Sequence, residues 1–147
     1  MKKSFFLFIV ICFSVACHAQ AQGQFRENGK ILHMNPEGEQ EWNYAQAYRS
    51  GNLLFISGTV GNGDMDKAME HVYKVLQLTL KKYNLNFTHV VKENVYTKDI
   101  EAVIRNRDIR KKYYGTHTPA STMVEITRLF DPESVLEVAL IVEFVKE

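Results

Sequence analysis

Hydrophobic and polar positions change period several times along this chain, and each period predicts an element. Ala68, Met69, Val72, Val75, Leu76, Thr79, Leu80 and Tyr83 recur at helical spacing and predict an amphipathic helix. Asp64 or Asp66 is placed to accept its free N-terminal amides, and Lys81, Lys82 and Asn84 suit its C-terminal end. Upstream, Glu41–Arg49 and Asn52–Ser57 flank the turn dipeptide Ser50-Gly51 and predict a β-hairpin, followed by a glycine-bearing loop over Thr59–Gly63. Downstream, His89–Thr97 is rich in β-branched and aromatic residues and predicts a strand. Asp99 can cap a second helix, Ile100–Tyr114, with Ala102, Asn106, Ile109 and Tyr113 on one face and Arg105, Arg107, Arg110, Lys111 and Lys112 mostly on the other. Thr122–Phe130 and Val135–Val145 are two further β-rich runs, joined by the turn Asp131-Pro132-Glu133-Ser134 and expected to pair antiparallel. The order ββαβαββ predicts an α+β fold, a mixed sheet with two helices on one face. No helix remains for the other, apolar face, so self-association is the expected way to bury it.

The first 21 residues read differently. Lys2 and Lys3 precede an apolar run from Phe5 to Val15, and small residues follow at Ala16, Ala19 and Ala21, the pattern of a removable export signal. At ~1.5 Å per residue that run covers about half of a ~30 Å hydrocarbon core, which disfavours a membrane span. The expected organisation is a signal over residues 1–21, cleaved after Ala19 or Ala21, then one domain over 22–147, exported and periplasmic in a diderm host. The alternative is a lipoprotein: Ser14-Val15-Ala16-Cys17 resembles a degenerate lipoprotein box, with a lipid anchor on Cys17.

Composition narrows the chemistry. Both cysteines, Cys12 and Cys17, lie in the signal, so the expected domain has no thiol nucleophile, disulfide or thiolate metal site. Losing Lys2 and Lys3 takes the formal charge from +1 to −1, which leaves no global field to attract nucleic acid. The basic run Arg105–Lys112 lacks aromatic interleaving on its face and reads as a solvated helix surface. His33, His71, His89 and His117 share no ligand spacing, and Gly58, Gly61 and Gly63 match no phosphate-cradling motif, so neither metal nor cofactor is expected. Two polar residues stand out. Asn106 falls on an apolar stripe, where its amide needs a partner, either as a structural hydrogen bond or in a pocket. Glu137 sits among Val135, Leu136, Val138, Ala139 and Leu140, where burial would raise its pKa and suit it to proton transfer; the alternative is a solvated strand-end carboxylate.

Several segments, in order, carry a family resemblance: Tyr44-Ala45-Gln46-Ala47, Gly51-Asn52-Leu53-Leu54-Phe55-Ile56-Ser57-Gly58, Val91-Lys92 with Val95 and Asp99, Asn106, Pro119-Ala120, Val124-Glu125 with Arg128-Leu129, and Leu136-Glu137-Val138. Together they resemble the RidA family, also called YjgF or endoribonuclease L-PSP, across Asn35–Lys146. The resemblance implies a homotrimer of chorismate-mutase-like subunits with small-molecule pockets in the clefts between them. It implies cofactor-free hydrolysis of enamines and imines such as 2-aminoacrylate to 2-oxo acids and ammonia. By position, Tyr44 and Asn106 would line the pocket, Ser57 and Gly58 would shape its wall, and Glu137 would orient the attacking water. In deaminating members Pro-Ala is followed by an arginine that clamps the substrate carboxylate; here Ser121 follows. Losing one partner of a buried charge pair costs roughly 2 to 5 kcal/mol, so Ser121 alone would leave a carboxylate substrate poorly held. Three functions are therefore weighed: a deaminase-like hydrolase of altered substrate range, a trimer that binds a metabolite without turnover, and, third, a ribonuclease.

Overall fold

The last β-rich run of the chain takes an interior place in the sheet. Residues 23–144 are described in a computed structural model, so the expected signal, Cys17 and Val145 lie outside the described residues. In chain order the elements are β1 (Gln24–Arg26), β2 (Ile31–His33), α1 (Pro36–Glu41), β3 (Ala47–Ser50), β4 (Leu53–Asn62), α2 (Met65–Lys82), β5 (Val90–Thr97), α3 (Ile100–Arg105), α4 (Arg107–Tyr114), β6 (Ala120–Glu125) and β7 (Ser134–Glu143). The seven strands form one mixed sheet in the order β1-β2-β3-β4-β7-β5-β6. β7 pairs antiparallel with both β4 and β5, and β6 lies parallel to β5 at the edge. The expected β6–β7 hairpin is thus wrong, although its turn is present, with Ser134 N–H donating to Asp131 O at 3.1 Å. Every second residue of β7 is buried and most of the others are half-buried, so the strand is stabler with a neighbour on each side than at an edge.

α2 lays Ala68, Met69, Val72, Leu76 and Leu80 on β4 and β7, whose inward residues Leu54, Ile56, Leu136, Val138 and Leu140 complete the core. Tyr73, unassigned by the periodicity, is buried as deeply. Asp64 stands at the N-cap, but its carboxylate takes the Lys67 ammonium at 2.7 Å rather than a helix amide. Asp99 does cap α3, accepting from Ala102 N–H at 2.8 Å.

Three other expectations change. Thr59–Gly63 is not a loop: β4 continues to Asn62, paired with β7, and α2 crosses it so closely that a Cβ on Gly61 would lie 2.7 Å from Ala68 O. The hairpin's first strand begins at Ala47 rather than Glu41, since Pro36 opens the short helix α1 instead. The second helix breaks at Asn106, whose Nδ2 donates to Ala102 O at 2.9 Å and competes for a carbonyl of the preceding turn. Asn106 therefore makes the structural bond that was one of its two readings.

Gly61→Ala should fold but lose roughly 1 to 3 kcal/mol, because backbone atoms of α2 must move to admit one methyl group. Urea unfolding of wild type and variant checks this; equal midpoints would mean that the β4–α2 contact is looser than described.

Candidate functional site

β4 carries a bulge at Ser57–Gly58, where the register against β7 shifts between Ile56 and Thr59. The extra residue brings Gly58 beneath Glu137, whose carboxylate lies so near that a Cβ there would fall 1.8 Å from Oε1. Glu137 faces Val60 on one side and Tyr96 on the other, on the sheet face turned away from α2. Burial alone raises its pKa above the ordinary 4.5; no neighbouring charge or hydrogen bond contributes. Ser57 anchors the bulge, donating its Oγ to Ala45 O at 2.6 Å, while its N–H donates to Gln46 O at 3.0 Å. These bonds fix the segment that carries Tyr44, whose ring is about half exposed. Burial and the nearby Glu39 carboxylate raise the Tyr44 hydroxyl's pKa.

Glu39, not singled out by the sequence, is what holds that segment. It is 1% exposed and accepts four hydrogen bonds: Met34 N–H and Asn35 N–H on Oε1 at 2.8 and 2.7 Å, and His33 Nδ1–H and Gln46 N–H on Oε2 at 2.8 and 3.0 Å. One carboxylate thereby ties the end of β2, the start of α1 and the residue before β3 into a fixed geometry. Beside it a cleft of about 590 Å³ opens between Arg26, His33, Tyr44 and Tyr48.

The remaining candidates lie elsewhere. Ser121 pairs in register with Glu93, and its Oγ donates to Glu93 Oε2 at 3.1 Å on the helix-covered face. Asn106, between α3 and α4, is also on that side. The structure thus brings Gly58 against Glu137 with Ser57 beside it, places Tyr44 in the neighbouring cleft, and sets Asn106 and Ser121 apart from Glu137 across the sheet. A single chain cannot bring Ser121 and Glu137 to one ligand.

Glu93 was also missed, though its place was readable: it shares the inward phase of β5 with Val95 and Thr97. It has no solvent exposure and accepts from Tyr73 Oη at 3.0 Å, Tyr114 Oη at 2.9 Å, and Arg110 Nε and Nη2 at 2.8 and 2.7 Å, besides Ser121. Burial and the carboxylate push both tyrosine hydroxyls well above their ordinary pKa. Arg110, expected on a solvated face, instead lies on the inward face, four residues after Asn106 and four before Tyr114. Burial works against its charge, but the bond and the attraction of Glu93 outweigh it and raise its pKa. Among the described residues no three His, Cys, Asp or Glu side chains are grouped to hold a metal ion.

Residues 36–144 match the family described as Endoribonuclease L-PSP. The chain belongs to that family, the RidA or YjgF family. A RutC family protein of Pyrococcus abyssi is 28% identical over 102 residues, 63% of this chain and 79% of the relative. Among solved structures, a YjgF-family protein of Mycobacterium tuberculosis superposes with a TM-score of 0.71 at 23% identity, covering 78% of this chain and 98% of that one. RidA from an Antarctic Psychrobacter gives 0.64 at 22% identity, covering 69% and 88%. These likenesses show the chorismate-mutase-like fold, and family membership supports a small-molecule-processing role in general terms. The family match begins at Pro36, so β1 and β2 precede it, and Glu39 inside it holds His33 outside it.

A raised folded-state pKa at Glu137 means that the protonated form favours the fold. Stability from this group is full below the ordinary glutamate range and is lost as pH rises through the raised value. Glu137→Gln should abolish that loss, so the variant gains on wild type near pH 7 but not near pH 3.5. Paired urea titrations across this range check the sign; a variant that loses ground as pH rises would reverse it.

Proposed function

We propose that this chain forms a trimer whose interchain clefts hydrolyse small imines or enamines to carbonyl compounds and ammonia, with Glu137 directing the water. The observation that carries the reading is the Glu137 carboxylate itself. It is half-buried, seated over Gly58, raised in proton affinity, and held by no bond or charge that would blunt it. In the proposed step Glu137 accepts a proton from water as the water oxygen attacks the imine carbon. That proton passes to nitrogen to give the carbinolamine; the hydroxyl proton then follows by way of Glu137, the carbon–nitrogen bond breaks, and ammonia leaves as the carbonyl forms. No electron changes hands, so no redox partner is needed. Because Ser121 and Asn106 lie across the sheet from Glu137, a second copy against the open face, where Phe55 and Val60 are exposed, is what would join the two halves. We read the leader-like segment as an export signal, which makes the proposed setting of this chemistry one outside the cytoplasm.

A second reading, a trimer that binds a metabolite without turnover, is favoured by one observation: Ser121 stands where deaminating relatives are expected to carry arginine, and its hydroxyl is committed to Glu93.

Ammonia release from imines with and without a carboxylate, generated in situ by amino-acid and amine oxidases, separates the two. Glu137→Gln should keep the trimer by light scattering and lose at least about tenfold in rate, since an amide cannot accept the water proton. An unchanged rate returns Glu137 to a structural role, a monomeric mass removes the interchain site, and a trimeric but inactive wild type favours binding alone. Mass spectrometry of the native protein should find an N-terminus at Gln20 or Gln22; an intact Met1 would overturn export, and a lipid on Cys17 would support the lipoprotein alternative.

A further inference from the structure

Two asparagines in the chain are followed by glycine, Asn28 and Asn62, and the fold treats them differently. Asn28 is exposed in the turn between β1 and β2, left-handed at φ 55°, with Gly29 left-handed after it at φ 83°. Apart from chain neighbours, no heavy atom lies within 4 Å of where a Cβ on Gly29 would stand. The turn is held by a long bond from Lys30 N–H to Glu27 O at 3.2 Å, and β1 beyond it is three exposed residues at the edge of the sheet, paired to β2 alone. Asn62 ends β4 in register with Ser134 of β7, and its Oδ1 accepts the hydroxyl of Ser134, a residue with no solvent exposure, at 2.8 Å. Turning the Asn62 amide toward Gly63 breaks that bond and opens the β4–β7 pairing, whereas the β1–β2 turn opens by fraying at the sheet edge.

We infer that Asn28-Gly29 is a self-modification site, where the asparagine converts to aspartate and isoaspartate, while Asn62-Gly63 is protected by the fold. The Gly29 main-chain nitrogen gives up its proton and attacks Asn28 Cγ, an intramolecular step favoured by proximity. The new nitrogen–carbon bond closes a succinimide ring, and the side-chain nitrogen leaves as ammonia with the proton that Gly29 lost. Glycine permits the approach because it has no Cβ to crowd the ring. Water then adds at one of the two ring carbonyls. Opening at Cγ gives aspartate, and opening at the main-chain carbonyl gives isoaspartate, in which the chain runs through Cβ and Cγ. One water is consumed, one ammonia is released, and nothing is oxidised or reduced. Isoaspartate puts an extra carbon in the main chain between Arg26 and Ile31, the pair nearest the turn, and so disturbs the register of β1. With β1 go the Phe25 ring, 5.2 Å from that of Tyr83, and Arg26 at the wall of the cleft shared with Tyr44 and Tyr48. The step needs only water and no part of the hydrolysis proposed above, so it stands or falls separately from Glu137.

The test is incubation of the purified protein in buffer at neutral and at mildly alkaline pH, followed by peptide mapping by mass spectrometry that separates aspartyl from isoaspartyl peptides. Conversion should rise with pH, yield both products, and run at least about tenfold faster at Asn28 than at Asn62. In urea, where nothing holds Asn62, the two rates should come within a few-fold of each other. In the isolated isoaspartyl form the NMR signals of the Tyr83 ring should move, because the Phe25 ring no longer lies against it. Asn28→Asp has the charge without the extra carbon, tolerates the left-handed backbone, and should leave those signals in place. Intact Asn28 after a time in which the urea-unfolded chain converts would overturn the site. Equal rates in the folded protein, or a tenfold gap that persists in urea, would overturn the protection of Asn62 by the fold. Tyr83 signals unchanged in the isoaspartyl form would overturn the effect on β1.

Discussion

Glu93 is a carboxylate with no access to water, and three other elements of the chain are arranged around that fact. Leaving such a group without donors would cost several kcal/mol, so the helices must arrive with theirs in place: Tyr73 from α2, Tyr114 and Arg110 from α4, Ser121 from β6. Arg110 reaches Glu93 because it lies four residues before Tyr114, on the same inward side of α4. Breaking the bond from one side strands a charge, which is why the network specifies a single packing of α4 more sharply than its apolar contacts do.

Three glutamates on this fold show how donor supply decides what a carboxylate does. Glu39 and Glu93 are saturated, the first mostly by backbone amides and the second by side chains, and each holds segments of chain together. Glu137 is given room by Gly58 instead of donors. Burial without compensation raises its proton affinity, the condition for exchanging a proton near neutrality. The same residue type is a staple in two places and a reactive group in the third.

Much of the fold was legible because periodicity reports burial directly. The stripe from Ala68 to Leu80 and the β-rich runs gave the two helical segments and the core strands. What periodicity lacks is pairing: nothing local distinguishes β7 joined to β6 from β7 between β4 and β5, and only its near-continuous burial favoured an interior place. At the site, Glu137 was visible as a carboxylate in an apolar run. Glu93 has the same signature in β5, yet its flanking Lys92 and Asn94 masked it. Glu39 was hidden for another reason, because its partners are mostly backbone amides that carry no residue identity. The inward position of Arg110 was masked by its charge, since it shares the helical phase of Asn106 and Tyr114 but reads as one of a run of solvated cations.

The position of β7 has a kinetic side. It is the last strand in chain order but an interior one in space, between β4 and β5, so every strand made before it belongs to one of two incomplete half-sheets. Until β7 arrives, β4 and β5 each present an unpaired edge, and no local contact can close them. Closure requires pairing across most of the chain's length, which slows folding and lengthens the time those edges are open to other molecules. A nascent chain of this kind stays unfinished until Ser134–Glu143 has emerged, and a truncation there removes the seam of the sheet rather than its margin.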